Sequence, residues 1–189
     1  MGVLSAERII VFGELWRFLT SIFLHWDMLH ISMNMLSLWF VGRAVEPIVN
    51  KFAYISIYLI SGIVGGLISI YIHYGEIGLG ASGAIFGIFG ALTGIVIVRR
   101  KEMGERFKAF MRDFGAILIL NLAIGLFFSS VDLSAHIGGL VAGLIGGALV
   151  AKKPTFIYIY LIISILFIVW FYNHIYHILY VNIHSLYVN

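Results

Sequence analysis

Ser82 stands in the run Gly80-Ala81-Ser82-Gly83, ahead of an apolar stretch that continues to Val98. His136 stands in Ala135-His136-Ile137-Gly138-Gly139, at the head of another. A hydroxyl and an imidazole are the parts of a nucleophile–base pair, in which a neutral imidazole accepts the serine proton as the oxygen attacks a carbonyl. His30 and Asn34 are four residues apart and share one face if they lie on a helix. Both can donate to a developing oxyanion, together with the Ser82 N–H. Gly80 and Gly83 leave that hydroxyl and N–H uncovered. The alternative for His30 and Asn34 is an interhelical polar clamp, and for Ser82 a bond to a carbonyl one turn back. The pattern is not the Gly-x-Ser-x-Gly elbow of α/β-hydrolases, since residue 84 is Ala, and the strands that fold requires are not expected. No cysteine and no HExxH accompany His136, so a general base is favoured over a metal ligand and no cofactor is expected.

The elements that must hold these groups follow from composition. Of 189 residues, 61% are hydrophobic and 11% charged, with mean hydropathy +1.04. So little charge cannot cover a soluble domain, and the apolar runs are long rather than short and alternating. The chain is therefore expected to be all-α, a polytopic transmembrane helix bundle with the lipid bilayer as its solvent. Six spans are expected, at about 29–48, 52–72, 82–98, 114–128, 133–151 and from 156 past Trp170. Residues 1–27 read as an interfacial segment, 28–151 as the core, and 152–189 as an added helix with an interfacial tail. The stretch 99–113 reads as a solvated loop. Ten of the twelve Lys and Arg fall in the connections at 43–51, 99–112 and 152–153. By the positive-inside rule that side is cytoplasmic, and the basic pI reflects topology rather than nucleic-acid binding. Ser82, His136, His30 and Asn34 then lie in one layer just below the outer surface. Gly83, Gly87 and Gly90 on the third span and Gly139, Gly143 and Gly147 on the fifth are small-residue stripes that let two helices pack closely.

Other polar residues read as structural. Asp132, four before His136, invites a triad but is expected to be a surface carboxylate. His25 and His73 are expected at the interface. His174, His177 and His184 form at most a weak metal site. Glu46, after Arg43, is expected to hold the end of the first span by a hydrogen bond or ion pair, and Trp16 beside Arg17 suits the headgroup level.

Taken together, Glu14-Leu15-Trp16-Arg17, Phe23-Leu24-His25, His30-xxx-Asn34-Met35, Gly42-Arg43-Ala44-Val45-Glu46, Gly80-Ala81-Ser82-Gly83 and Ala135-His136-Ile137-Gly138-Gly139 with Gly143 resemble the rhomboid intramembrane serine proteases. The resemblance covers about residues 14–151. It implies a Ser82–His136 dyad without an aspartate and an oxyanion hole from His30 and Asn34. It implies structural roles for Trp16, Arg17 and Glu46. It also implies substrates that are single-span membrane proteins cut near the outer face, where a helix unwinds. The usual first helix of that family, ahead of the Trp-Arg loop, is expected to be missing. A non-catalytic relative that binds membrane clients is the alternative. A transporter is disfavoured because no inverted repeat or midplane polar site is visible.

Overall fold

The computed structural model describes residues 2–127 and 131–188. Phe128, Ser129 and Ser130, the expected end of the fourth span and start of the following connection, lie outside the described residues, as do Met1 and Asn189. The chain is an all-α bundle. Six helices of 17 residues or more are present among the described residues: α3 (Met28–Val45), α4 (Lys51–Ile72), α5 (Ser82–Val98), α7 (Glu105–Phe127), α8 (Leu133–Lys152) and α9 (Ile157–Val188). The helices α4, α8 and the segment Pro154–His184 are long and apolar enough to cross a membrane, and α5 is a shorter apolar helix of the same kind. Outward faces carry large apolar side chains, among them Met28, Leu29 and Trp39 on α3 and Ile162, Leu166 and Trp170 on α9. Water would penalise such a surface, whereas lipid tails solvate it.

Packing is dictated by the glycines. A Cβ placed on Gly139 would strike the carbonyl oxygen of Gly83, one on Gly143 that of Gly87, and one on Gly147 that of Ala91. In return Gly90 and Gly94 receive the carbonyls of Leu140 and Leu144. Helices α5 and α8 therefore meet backbone to backbone along their whole length, as the two stripes require. Helix α4 closes the trio: a Cβ at Gly65 would lie 2.6 Å from the Ala135 carbonyl. Around this centre Val45, Ile57, Ile88 and Ile95 are buried.

The amino-terminal segment holds four short elements: β1 (Leu4–Ser5), α1 (Ala6–Ile10), α2 (Arg17–Thr20) and a 3-10 turn at Ser21–Phe23. No strand was expected, yet β1 pairs antiparallel with β2 (Ile77–Gly78). The pairing pins the connection ahead of Ser82 to the amino-terminal segment. Arg17 is buried, ion-paired to Glu14 at 2.6 Å, bonded to the Val3 carbonyl at 2.9 Å, and stacked over Trp16 at 4.7 Å.

Two expectations need correcting. The stretch 99–113 is not a loop: α6 (Arg100–Met103) and α7 fill most of it. Its straight-chain residues, Arg, Lys, Glu and Met, are good helix formers, so charge marked where the lipid ends but not where the helix does. The tail of the sixth span, expected as a helix end, is helix through Val188. Finally, Glu46 is exposed and forms no side-chain ion pair or hydrogen bond among the described residues; Arg43 lies over the Trp39 ring instead.

Candidate active site

Ser82 is the first residue of α5, His30 the third of α3 and His136 the fourth of α8. Three helix N-termini thus meet at one end of the bundle. Ser82, His136, His30, Asn34 and Gly80 all line one cavity of about 940 Å³. The structure thus brings the four polar groups singled out in the sequence to one cavity.

The local chemistry follows from how each helix begins. No side chain caps α5, because Ala81 occupies the cap position. Its first amides therefore have no intrahelical acceptor and present a partial positive charge. Gly80 precedes it with φ +136°, a conformation few other residues adopt, and its N–H bonds the Ser21 carbonyl at 3.0 Å. A Cβ there would lie 2.9 Å from Nε2 of His30, so glycine is needed for the ring to reach this position. His30 in turn accepts the Trp26 N–H at Nδ1, 3.4 Å away. That bond puts the proton of a neutral ring on Nε2, the nitrogen beside Gly80. The Asn34 side chain is buried and its Nδ2 has no partner. Such a buried donor without a protein partner is rare, and Asn34 lines the same cavity as Ser82.

His136 is 5% exposed, and its ring stacks on Phe86 with centroids 4.2 Å apart and planes 15° from parallel. Its Nδ1 is buried without a partner. No Ser82–His136 hydrogen bond forms among the described residues; such bonds are often long in a free enzyme and tighten with substrate. Phe86 was missed in the sequence. The signal was available, since it lies one helical turn after Ser82 and so faces the same way. The His25 ring meets the His30 ring edge-on at 5.0 Å.

Asp132 is not a bare surface carboxylate. It caps α8, accepting from the Ala135 N–H at 3.0 Å, and accepts from the Ser134 hydroxyl at 2.5 Å; His73 Nδ1 lies 3.8 Å away. Partial burial opposes its charge, but bonds from Ser134, Ser69 and Ala135 outweigh that and hold the carboxyl below its ordinary value. It serves its own helix rather than the imidazole. A group with a lowered folded pKa stabilises above its unfolded value, near ~4, and loses that contribution as pH falls through the folded value. Asp132→Ala should therefore lower stability by about 1 kcal/mol at neutral pH, the usual worth of such a cap. Thermal unfolding followed against pH should show the variant and the parent converging below about pH 4.

An all-α membrane bundle whose helix ends bring a serine and a histidine to one cavity is the class of protein these features define. Comparison with known proteins makes the assignment specific. The Rhomboid domain matches residues 12–153. Over 146 residues the chain is 40% identical to Rhomboid protease GluP of Bacillus subtilis, covering 75% of this chain and 27% of that protein. It is 34% identical to RHOMBOID-like protein 1 and 36% identical to RHOMBOID-like protein 5, both of Arabidopsis thaliana. Each alignment covers 84% of this chain, and 40% and 51% of those proteins. The chain belongs to the rhomboid family and is an integral membrane protein. It spans about half or less of the length of these relatives.

Proposed function

We propose that this protein is an intramembrane serine endopeptidase that cleaves transmembrane segments of other membrane proteins. The observation that carries the reading is the single cavity lined by Ser82, His136, His30 and Asn34. Ser82 Oγ attacks the scissile carbonyl carbon while its proton passes to His136. With Nδ1 buried, Nε2 is the nitrogen that serves as base. The carbonyl oxygen becomes an oxyanion, held by the Ser82 N–H at the uncapped start of α5, by His30 Nε2–H and by Asn34 Nδ2. Collapse breaks the C–N bond, His136 gives its proton to the leaving amine, and water then hydrolyses the acyl-enzyme by the same base. The dyad carries no carboxylate, because Asp132 is engaged at the α8 cap. Phe86 holds the imidazole plane.

The positive-inside rule supports a cavity that opens to the extracytoplasmic side, where water for deacylation is available. A closed helix hides its carbonyls, so the substrate segment must unwind there. The purified protein should label with a fluorophosphonate probe, and Ser82→Ala or His136→Ala should each remove the label. A well-folded parent that stays unlabelled rejects the protease reading.

A further inference from the structure

At the opposite end of α5 from Ser82 lies a second cavity, of about 510 Å³. That volume is within the range of small-molecule sites. Arg99, Glu102 and Arg106 line its polar side, and Ile48, Leu92 and Phe110 are among its apolar walls. Arg99 follows the last turn of α5 and is half-buried, while Arg106 is the second residue of α7. They face one space because the chain turns between α6 and α7 at Gly104, whose φ of +55° permits the reversal. Neither guanidinium has a carboxylate within ion-pairing distance among the described residues. Other basic residues of the stretch do, Lys108 with Glu105 and Arg112 with Asp113.

We infer that this cavity holds one anionic phospholipid, its phosphodiester on Arg99 and Arg106 and an acyl chain along Leu92 and Phe110. The charge balance favours that occupant. Two guanidiniums and one carboxylate leave a single positive charge, which complements a monoanionic phosphodiester. The same cavity is lined by Leu92, Ile95 and Val96 of α5 and Phe110 of α7, an apolar lining of the kind an acyl chain requires. Basic pockets between membrane helices recognise anionic headgroups in this way. The site is separate from the Ser82 cavity and does not depend on the proteolytic reading.

The whole protein, delipidated in detergent, is titrated with dioleoyl phosphatidylglycerol and with dioleoyl phosphatidylcholine, and bound lipid is counted by native mass spectrometry. Phosphatidylglycerol should bind about fivefold or more tightly, the scale of one net charge at a membrane surface. Arg99→Gln with Arg106→Gln should abolish the preference. Arg100→Gln with Lys101→Gln removes the same charge from side chains off the cavity and should leave the preference intact. If the double arginine variant does not fold, Arg106→Gln alone, at an exposed position, should reduce the preference severalfold. Equal binding of the two lipids by the parent overturns the inference. So does equal loss in both double variants, which would mean diffuse attraction. Displacement by millimolar inorganic phosphate also overturns it, since the acyl chain would then contribute nothing.

Discussion

Cleavage of a transmembrane reporter falls by a factor on the order of 10³ or more in Ser82→Ala, and by a similar factor in His136→Ala. The double variant is no worse than either single one. The reason is mechanistic: nucleophile and base act in one step, so removing the second after the first removes nothing further. Residual activity reflects whatever the oxyanion donors alone provide. The pattern distinguishes a dyad from two residues that only shape the cavity, because independent structural contributions add. Asn34→Ala should be milder, lowering kcat by roughly 10²-fold, as loss of one oxyanion donor does. Reporter cleavage in proteoliposomes, with circular dichroism as the check on folding, measures all four. Loss in the double variant equal to the product of the singles would refute the dyad.

The second large effect is on stability. Gly143→Ala puts a methyl against the backbone carbonyl of Gly87, on a neighbouring helix that cannot yield as a flexible side chain would. Either α5 and α8 separate or the carbonyl tilts away. Overpacking of this kind costs about 1–3 kcal/mol, and at ~2–4 °C per kcal/mol the melting temperature should drop by roughly 5–10 °C. Gly115→Ala on α7 is the matched control, since nothing lies within 4 Å of its added Cβ. There the better helix propensity of alanine should leave stability unchanged or up to about 1 kcal/mol higher. Activity should fall in Gly143→Ala beyond what unfolding explains, because α5 and α8 carry Ser82 and His136 respectively. Equal melting temperatures for the two variants would mean that the close approach is not what holds the helices together.

Hydropathy and residue spacing alone determined the membrane solvent and six helices, all close to their observed places except the fourth, which begins at Glu105 and not near Phe114. They also brought out the four polar groups that line one cavity and the glycine stripes that join α5 to α8. Each is a local or periodic property, written in consecutive residues, and the bilayer's fixed thickness converts it into geometry. What needed the tertiary structure is what depends on residues distant in the chain. Asp132 looked like a loop carboxylate because nothing nearby in sequence shows Ser69 and His73 arriving from α4. Glu46 looked like half of an ion pair because Arg43 is three residues away, yet that guanidinium stacks on Trp39. The pairing of Leu4 with Gly78, 74 positions apart, involves two residues per strand, too few for any alternation to register. Phe86 reads as one more apolar residue on a buried helix until α8 brings His136 against its face. The cavity between Arg99 and Arg106 likewise exists only because Gly104 reverses the chain in space. Local preference and period act within a helix, whereas these contacts are selected by how the helices pack, and only the folded chain contains that information.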